Sequence, residues 1–264
     1  MNEFIYYSSI TQTQRRCRVY VSKGPLSHRP KLLIFILHGI GGDENEWLRF
    51  GNPAAILDDL VASGILPPLA AVFPNGRACA NDAAPDNPFE PSAIEGFAHF
   101  GDELLNDLVP LAHKTFGIEP FPCNRMLCGL SMGGGQTLNI GLSNPGFFSG
   151  IAAFSPAPNT DAAYALAIGK KRLSGDDCIA QGEPPGKSQG ESQGESQGRS
   201  IGWPKTWLCC GLSDELLHVT RNAEQALKDA CVPAKTEYIE GGHDWNVWTY
   251  GLRSSLEFFF KEII

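Results

Sequence analysis

The chain has 264 residues, a formal charge of −8, 42% hydrophobic and only 19% charged residues. That length allows one or two domains and a core large enough to fold without a disulfide or metal staple. The acidic balance argues against a nucleic-acid binder, which needs a basic face. No run reaches the about 18–20 apolar residues that a bilayer-spanning helix requires, so no membrane partner is expected.

The first ten residues (MNEFIYYSSI) include an acid and no basic segment ahead of a long apolar core. No secretory leader is read there, and a cytoplasmic location is expected, or a secreted one if a leader has been removed. The 8 cysteines are sparse, and none of them form a CxxC pair. They are expected to be mostly buried free thiols in a reducing compartment.

Taken in chain order, Arg16 to Val21 alternates like an antiparallel edge strand, and Lys31 to Leu37 (KLLIFIL) is an apolar run typical of a strand buried on both faces. That run stops at His38-Gly39-Ile40-Gly41-Gly42. Asn52 to Ser63 reads as a helix with Pro53 in its first turn, and Leu69 to Phe73 as a second buried strand. Gly96 to Phe116 has helical spacing. Arg125 to Cys128 is a short strand entering Gly129-Leu130-Ser131-Met132-Gly133, followed by a helix from Gln136 to Leu142.

Phe148 to Phe154 and Thr206 to Cys210 read as strands, Leu216 to Cys231 as a helix and Lys235 to Ile239 as the last strand. A final helix follows Gly241-Gly242-His243, with Trp245, Trp248, Leu252, Leu256 and Phe259 on one face. Alternating strands and helices predict an α/β fold around a mainly parallel sheet with helices on both faces. The exception is 182–202 (GEPPGKSQGESQGESQGRSIG), a tandem Ser-Gln-Gly-Glu repeat expected to be a disordered insert in a single domain.

The pattern G-x-S-x-G occurs at Ser131, Ser188, Ser192, Ser196 and Ser200, and the last four are a by-product of the repeat. A nucleophile elbow needs a strand before it and a helix after it, which only Ser131 has. A serine hydroxyl also needs a base, and the base an orienting acid; in α/β-hydrolases the chain order is Ser, Asp or Glu, then His. Of the histidines after Ser131, His218 falls inside a predicted helix, whereas His243 lies in a loop between the last strand and helix. Asp214, after the Thr206 to Cys210 strand, is the candidate acid, with Glu215 its nearest competitor and a helix N-cap its structural alternative. Asp244 is expected to cap the last helix.

The tetrahedral intermediate needs backbone N–H donors aimed at its oxyanion. Met132, after the nucleophile, supplies one. The 38–42 loop supplies the other, with Ile40 first choice and Gly41 second, and His38 is expected to prop that loop. Trp47, Phe89 and Phe100 are candidate walls of an aromatic acyl pocket, Trp47 foremost.

Together HGIGGDENEW (38–47), PNGRA (74–78), GDELLNDLVP (101–110), CGLSMGGGQTLNIGLSNP (128–145), SPAPNT (155–160), CGLSDELL (210–217) and GGHDWNVW (241–248) resemble the feruloyl esterase group of carbohydrate esterase family 1. This group is close to esterase D and acetyl-xylan esterases. The resemblance covers nearly all of the chain except 182–202. It implies an α/β-hydrolase fold, Ser131, Asp214 and His243 as catalytic residues, no metal or cofactor, and release of hydroxycinnamic acids such as ferulate from plant xylan. The partner expected is thus a small-molecule or polysaccharide ester. Three alternatives keep the scaffold: a short-acyl esterase of acetyl-xylan or S-formylglutathione hydrolase type, an acyltransferase, and a binding module on an inactive hydrolase.

Overall fold

The computed structural model describes residues 1–23, 29–81, 86–87, 89–175 and 202–261. The predicted insert, apart from Gly202, lies outside the described residues, as do Ser188, Ser192, Ser196 and Ser200.

The strands are β1 (Asn2–Ser8), β2 (Thr13–Val21), β3 (Leu32–Leu37), β4 (Leu69–Pro74), β5 (Arg125–Leu130), β6 (Gly150–Phe154), β7 (Lys205–Gly211) and β8 (Ala234–Ile239). They form one sheet in the order β1-β2-β4-β3-β5-β6-β7-β8. β2 is antiparallel to both β1 and β4, and every pair from β4 to β8 is parallel. This is the mainly parallel sheet that the alternating pattern predicts.

The β2 segment was expected at the sheet edge, but β1 pairs outside it. β1 was missed because its inward face ends in Tyr6 and Ser8, which carry little apolar signal. Those two side chains serve a buried charge. Glu103 accepts hydrogen bonds from Tyr6 Oη (2.5 Å) and Ser8 Oγ (2.6 Å) and lies 3.5 Å from the buried Arg15 guanidinium. Breaking a buried pair by removing one partner leaves the other uncompensated. Glu103→Gln is therefore expected to lower the unfolding free energy by about 3 kcal/mol or more in urea titration. A change within about 0.5 kcal/mol would show that the pair contributes nothing.

β3 explains why KLLIFIL reads as a doubly buried strand. Leu33, Phe35 and Leu37 enter one core cluster, while Leu32, Ile34 and Ile36 enter the other. On the first face pack α3 (Pro91–Glu103), α4 (Val109–Phe116), α5 (Ser131–Ser143), α6 (Ala162–Ser174) and α7 (Leu217–Asp229). On the second face pack α1 (Glu46–Phe50), α2 (Pro53–Ala62) and α8 (Trp245–Lys261), the last through Trp248, Leu252, Leu256 and Phe259.

The helix expected from Gly96 to Phe116 starts earlier, at Pro91, and contains a π turn, Leu104–Leu108, between α3 and α4. Pro110 stands two residues after it; it has no N–H to give and its ring crowds the preceding turn, which the wider turn relieves. α1 and α6 were missed because α1 has only 5 residues and the buried face of α6 is built from Ala162, Ala165, Leu166 and Gly169. Among the described residues, no helix is long and apolar enough to cross a membrane. Seven described cysteines are free, with Cys17, Cys128, Cys209 and Cys210 buried; Cys178 lies outside the described residues.

Candidate active site

β5 delivers its last residue, Leu130, to the C-terminal edge of the sheet, and α5 begins at Ser131 itself rather than at Gln136 as expected. The reversal forces Ser131 to φ +52°, a left-handed conformation that few non-glycine residues adopt. The flanking glycines allow backbones to meet. A Cβ on Gly133 would come within 2.6 Å of the His38 carbonyl, and one on Gly129 within 2.5 Å of the Gly133 carbonyl. This close approach accounts for so many poor helix formers at the start of α5.

Two other loops converge on Ser131. The loop after β8 carries His243, and Gly241 turns it at φ +136°. It is tied to the loop after β7 by Leu212 N–H to Ile239 O (2.8 Å) and Ser213 N–H to Gly241 O (2.9 Å). Asp214 Oδ2 lies 3.0 Å from His243 Nδ1, and His243 Nε2 lies 3.0 Å from Ser131 Oγ. With its Nδ1 proton donated to Asp214, the imidazole keeps Nε2 free to accept the serine proton. The Trp248 ring packs edge-on against the imidazole at 5.1 Å.

Asp214 is not the N-cap considered as its alternative, since Leu216 holds that position of α7; its Oδ1 instead accepts the Leu216 N–H at 2.8 Å in the turn before the helix. Cys210 Sγ lies 3.5 Å from Oδ2, and the buried Ser155 hydroxyl sits beside the same carboxylate. Burial pushes the Asp214 pKa up, but the hydrogen bonds from Leu216 N–H and His243, with the Ser155 hydroxyl close by, outweigh it and hold the carboxyl below its usual value. Burial pushes the Cys210 thiol up to about 11, so it remains a neutral donor. Glu215 and His218 are exposed. Asp244 accepts from Gly242, Asn246 and Val247 N–H groups and caps α8 as expected.

The 38–42 loop lies against the nucleophile: a Cβ on Gly39 would sit 3.6 Å from Ser131 Cβ. His38 is buried, its Nδ1 is 2.6 Å from Gly39 O, and its Nε2 accepts the Gly76 N–H at 2.8 Å. It therefore props the loop, as expected, with its proton on Nδ1. Burial first, then the Arg77 charge, holds the His38 pKa down to about 4. Because this lies below the unfolded value of 6.5, the unfolded chain binds more protons between the two values. The stability from a neutral His38 is thus complete above about 6.5 and is lost as pH falls toward about 4, by about 3 kcal/mol. His38→Gln is expected to flatten that part of the urea-midpoint profile against pH. Parallel profiles for the two proteins would contradict a buried neutral imidazole.

The acyl-pocket expectation needs correction. Trp47 is 1% exposed, gives its Nε1 proton to Leu37 O at 3.0 Å, and stacks edge-on with Phe154 and Trp245 in the core. It has no free face for a substrate. Phe100 is equally buried, and Phe89 is 69% exposed. The apolar side chains gathered at the nucleophile are instead Phe97, Met132 and Ala157, with Ile40 and Leu216 packed against them. Sequence reading also missed Ser155, Cys210 and Arg77. All three lay within pieces of the resemblance, PNGRA, SPAPNT and CGLSDELL, but none carried a chemical signal of its own.

A mainly parallel sheet with a strained serine between its central strand and a helix, and a histidine loop facing it, defines the protein as an α/β-hydrolase. The chain belongs to the Esterase family, whose profile matches residues 8–259, and it is a carboxylic-ester hydrolase. An acetyl esterase of Caldicellulosiruptor saccharolyticus is 26% identical over 238 residues, 86% of this chain and 83% of that one. An endo-1,4-beta-xylanase/feruloyl esterase of Xylanibacter ruminicola is 29% identical over 157 residues, which span 56% of this chain and 20% of that protein. Among solved structures, a CE1 ferulic acid esterase from Anaeromyces mucronatus in complex with ferulic acid superimposes with a TM-score of 0.76. It is 22% identical, and the match covers 100% of this chain and 91% of the other.

Proposed function

We propose that the protein is a serine esterase that releases hydroxycinnamic acids, ferulate foremost, from the sugar esters of plant xylan. The observation that carries this is the unbroken relay from Ser131 Oγ through His243 to Asp214, each step 3.0 Å. Ser131 Oγ attacks the ester carbonyl while His243 Nε2 takes its proton. The N–H groups of Met132 and Ile40 hold the oxyanion, and His243 then protonates the departing sugar hydroxyl. Water, activated by the same imidazole, releases the acid and restores Ser131.

Two kinds of observation support an aromatic acyl group. The apolar cluster of Phe97, Met132, Ala157, Ile40 and Leu216 stands next to the nucleophile. Relatives by sequence and by structure carry feruloyl or ferulic acid esterase names. A short-acyl esterase is the second reading, favoured by the acetyl esterase that matches 86% of the chain.

The product profile from feruloylated and acetylated arabinoxylan separates the two. Ferulate release well ahead of acetate is the expected result. Acetate release with no ferulate would overturn the feruloyl assignment and leave the short-acyl esterase.

A further inference from the structure

The relay leaves unexplained a second buried cation on the opposite side of the site. Arg77 is 2% exposed, and its guanidinium lies 5.7 Å from the centre of the Phe97 ring. Its Nη1 donates to Gly42 O at 2.7 Å and to Ile40 O at 3.4 Å, both in the loop that lies against Ser131. Burying a guanidinium carries a desolvation penalty that an apolar side chain of similar volume would avoid, so stability alone is a weak reason for it.

A trans peptide unit points its C=O and N–H in opposite directions. The peptide between Ile40 and Gly41 has its oxygen on Arg77, which turns the Gly41 N–H away from the guanidinium. The preceding peptide has its oxygen held by the His38 ring at 2.6 Å and by Gly42 N–H at 3.2 Å, which turns the Ile40 N–H the opposite way. Arg77 is itself fixed, because Arg15 donates to the carbonyls of Asn75 (2.8 Å), Arg77 (2.5 Å) and Cys79 (2.8 Å).

We propose that Arg77 is a positioning residue for the oxyanion hole: by gripping the carbonyls of Ile40 and Gly42 it fixes the backbone on the C-terminal side of Ile40, while His38 and Gly42 N–H hold the peptide before it, and Ile40 N–H between them stays aimed at the oxyanion formed on Ser131. This rests on the assignment of Ser131 and of the 38–42 loop given under Proposed function. A donor is effective only if it is already aimed when charge develops, and small misplacements are costly in rate. Arg77 acts through the loop and does not touch the ester.

The test uses the full chain with 4-nitrophenyl acetate as substrate and phenylboronic acid as a mimic of the tetrahedral intermediate. Arg77→Met is expected to lower kcat about 10–100-fold with KM within about threefold, and to raise the Ki of the boronate about tenfold. Arg77→Lys, which can reach one carbonyl as a point donor, is expected to fall between. A merely structural role would reduce the active fraction, and with it kcat, while leaving the Ki of the boronate unchanged. Such an unchanged Ki, or a wild-type kcat, overturns the proposal. If Arg77→Met does not fold, the Ki of Arg77→Lys decides by the same criterion. Ser131→Ala run in parallel separates the two levels: activity surviving in it sinks the site assignment, whereas a dead Ser131→Ala beside an unaffected Arg77→Met sinks only the role of Arg77.

Discussion

Ser131→Ala is expected to lower kcat/KM about 10⁴-fold or more for every ester the protein hydrolyses, leaving at most the weak catalysis that an oxyanion hole and substrate binding supply alone. Ser131 Oγ lies 3.0 Å from His243 Nε2, within reach of the base. Alanine also removes the hydroxyl without adding volume to a turn already held at φ +52°. The fold should persist, with an unchanged far-ultraviolet spectrum and thermal midpoint. Steady-state rates beside those controls check the result; residual activity near wild type would mean that another group makes the attack.

Asp214→Asn carries the second large expected effect, a loss in kcat of about 10⁴-fold with little change in stability. Asparagine fits the same space and retains an oxygen for the Leu216 N–H, which Asp214 Oδ1 accepts at 2.8 Å. What it cannot do is accept the Nδ1 proton with its amide nitrogen. An NH₂ facing Nδ1 favours the opposite tautomer, with the proton on Nε2, where it blocks transfer from Ser131. The depressed pKa of Asp214 means that the carboxylate is ionised throughout the neutral range, so the wild type keeps the productive tautomer there. Steady-state kinetics of the two proteins at neutral pH give the comparison. A loss of less than about tenfold would show that Asp214 does not orient the base.

The parts of this architecture that were legible in the sequence are those whose signal is local. KLLIFIL announces a strand buried on both faces because each residue is apolar, and alternate residues do enter opposite cores. Ser131 stands out from four other matches to its motif because it alone lies between an apolar strand and a helix-forming run. His243 and Asp214 follow from chain order and from the loops that end strands.

The parts that were not legible depend on contacts across the fold. Trp47 reads as a candidate pocket wall, yet its burial is decided by Phe154 and Trp245, far along the chain. Arg77 contacts Ile40 from 37 residues away, and neither residue type advertises the meeting. Ser155 escaped notice for the same reason, although its own left-handed backbone, φ +46°, brings it under Asp214. β1 and α6 escaped because Tyr, Ser and Ala make faint apolar faces.

The glycines show both sides of this contrast. Their clustering after β3, around Ser131 and before His243 is plain in the sequence and marks three tight loops. Only the structure shows that Gly133 is required by the His38 carbonyl, and that Gly211 is required by Gly241 and Gly242 of the histidine loop. The first approach pins the loop after β3 to the nucleophile turn, and the second pins the end of β7 to the histidine loop.

The central claim is that esters are cleaved through an acyl group carried on Ser131. Mixing the protein with 4-nitrophenyl ferulate, quenching in acid within the first turnovers and mapping the peptides by mass spectrometry tests it most directly. A feruloyl adduct on the peptide containing Ser131, absent from Ser131→Ala, is the expected result. Turnover with no adduct on that peptide, or with the adduct on another residue, would contradict it.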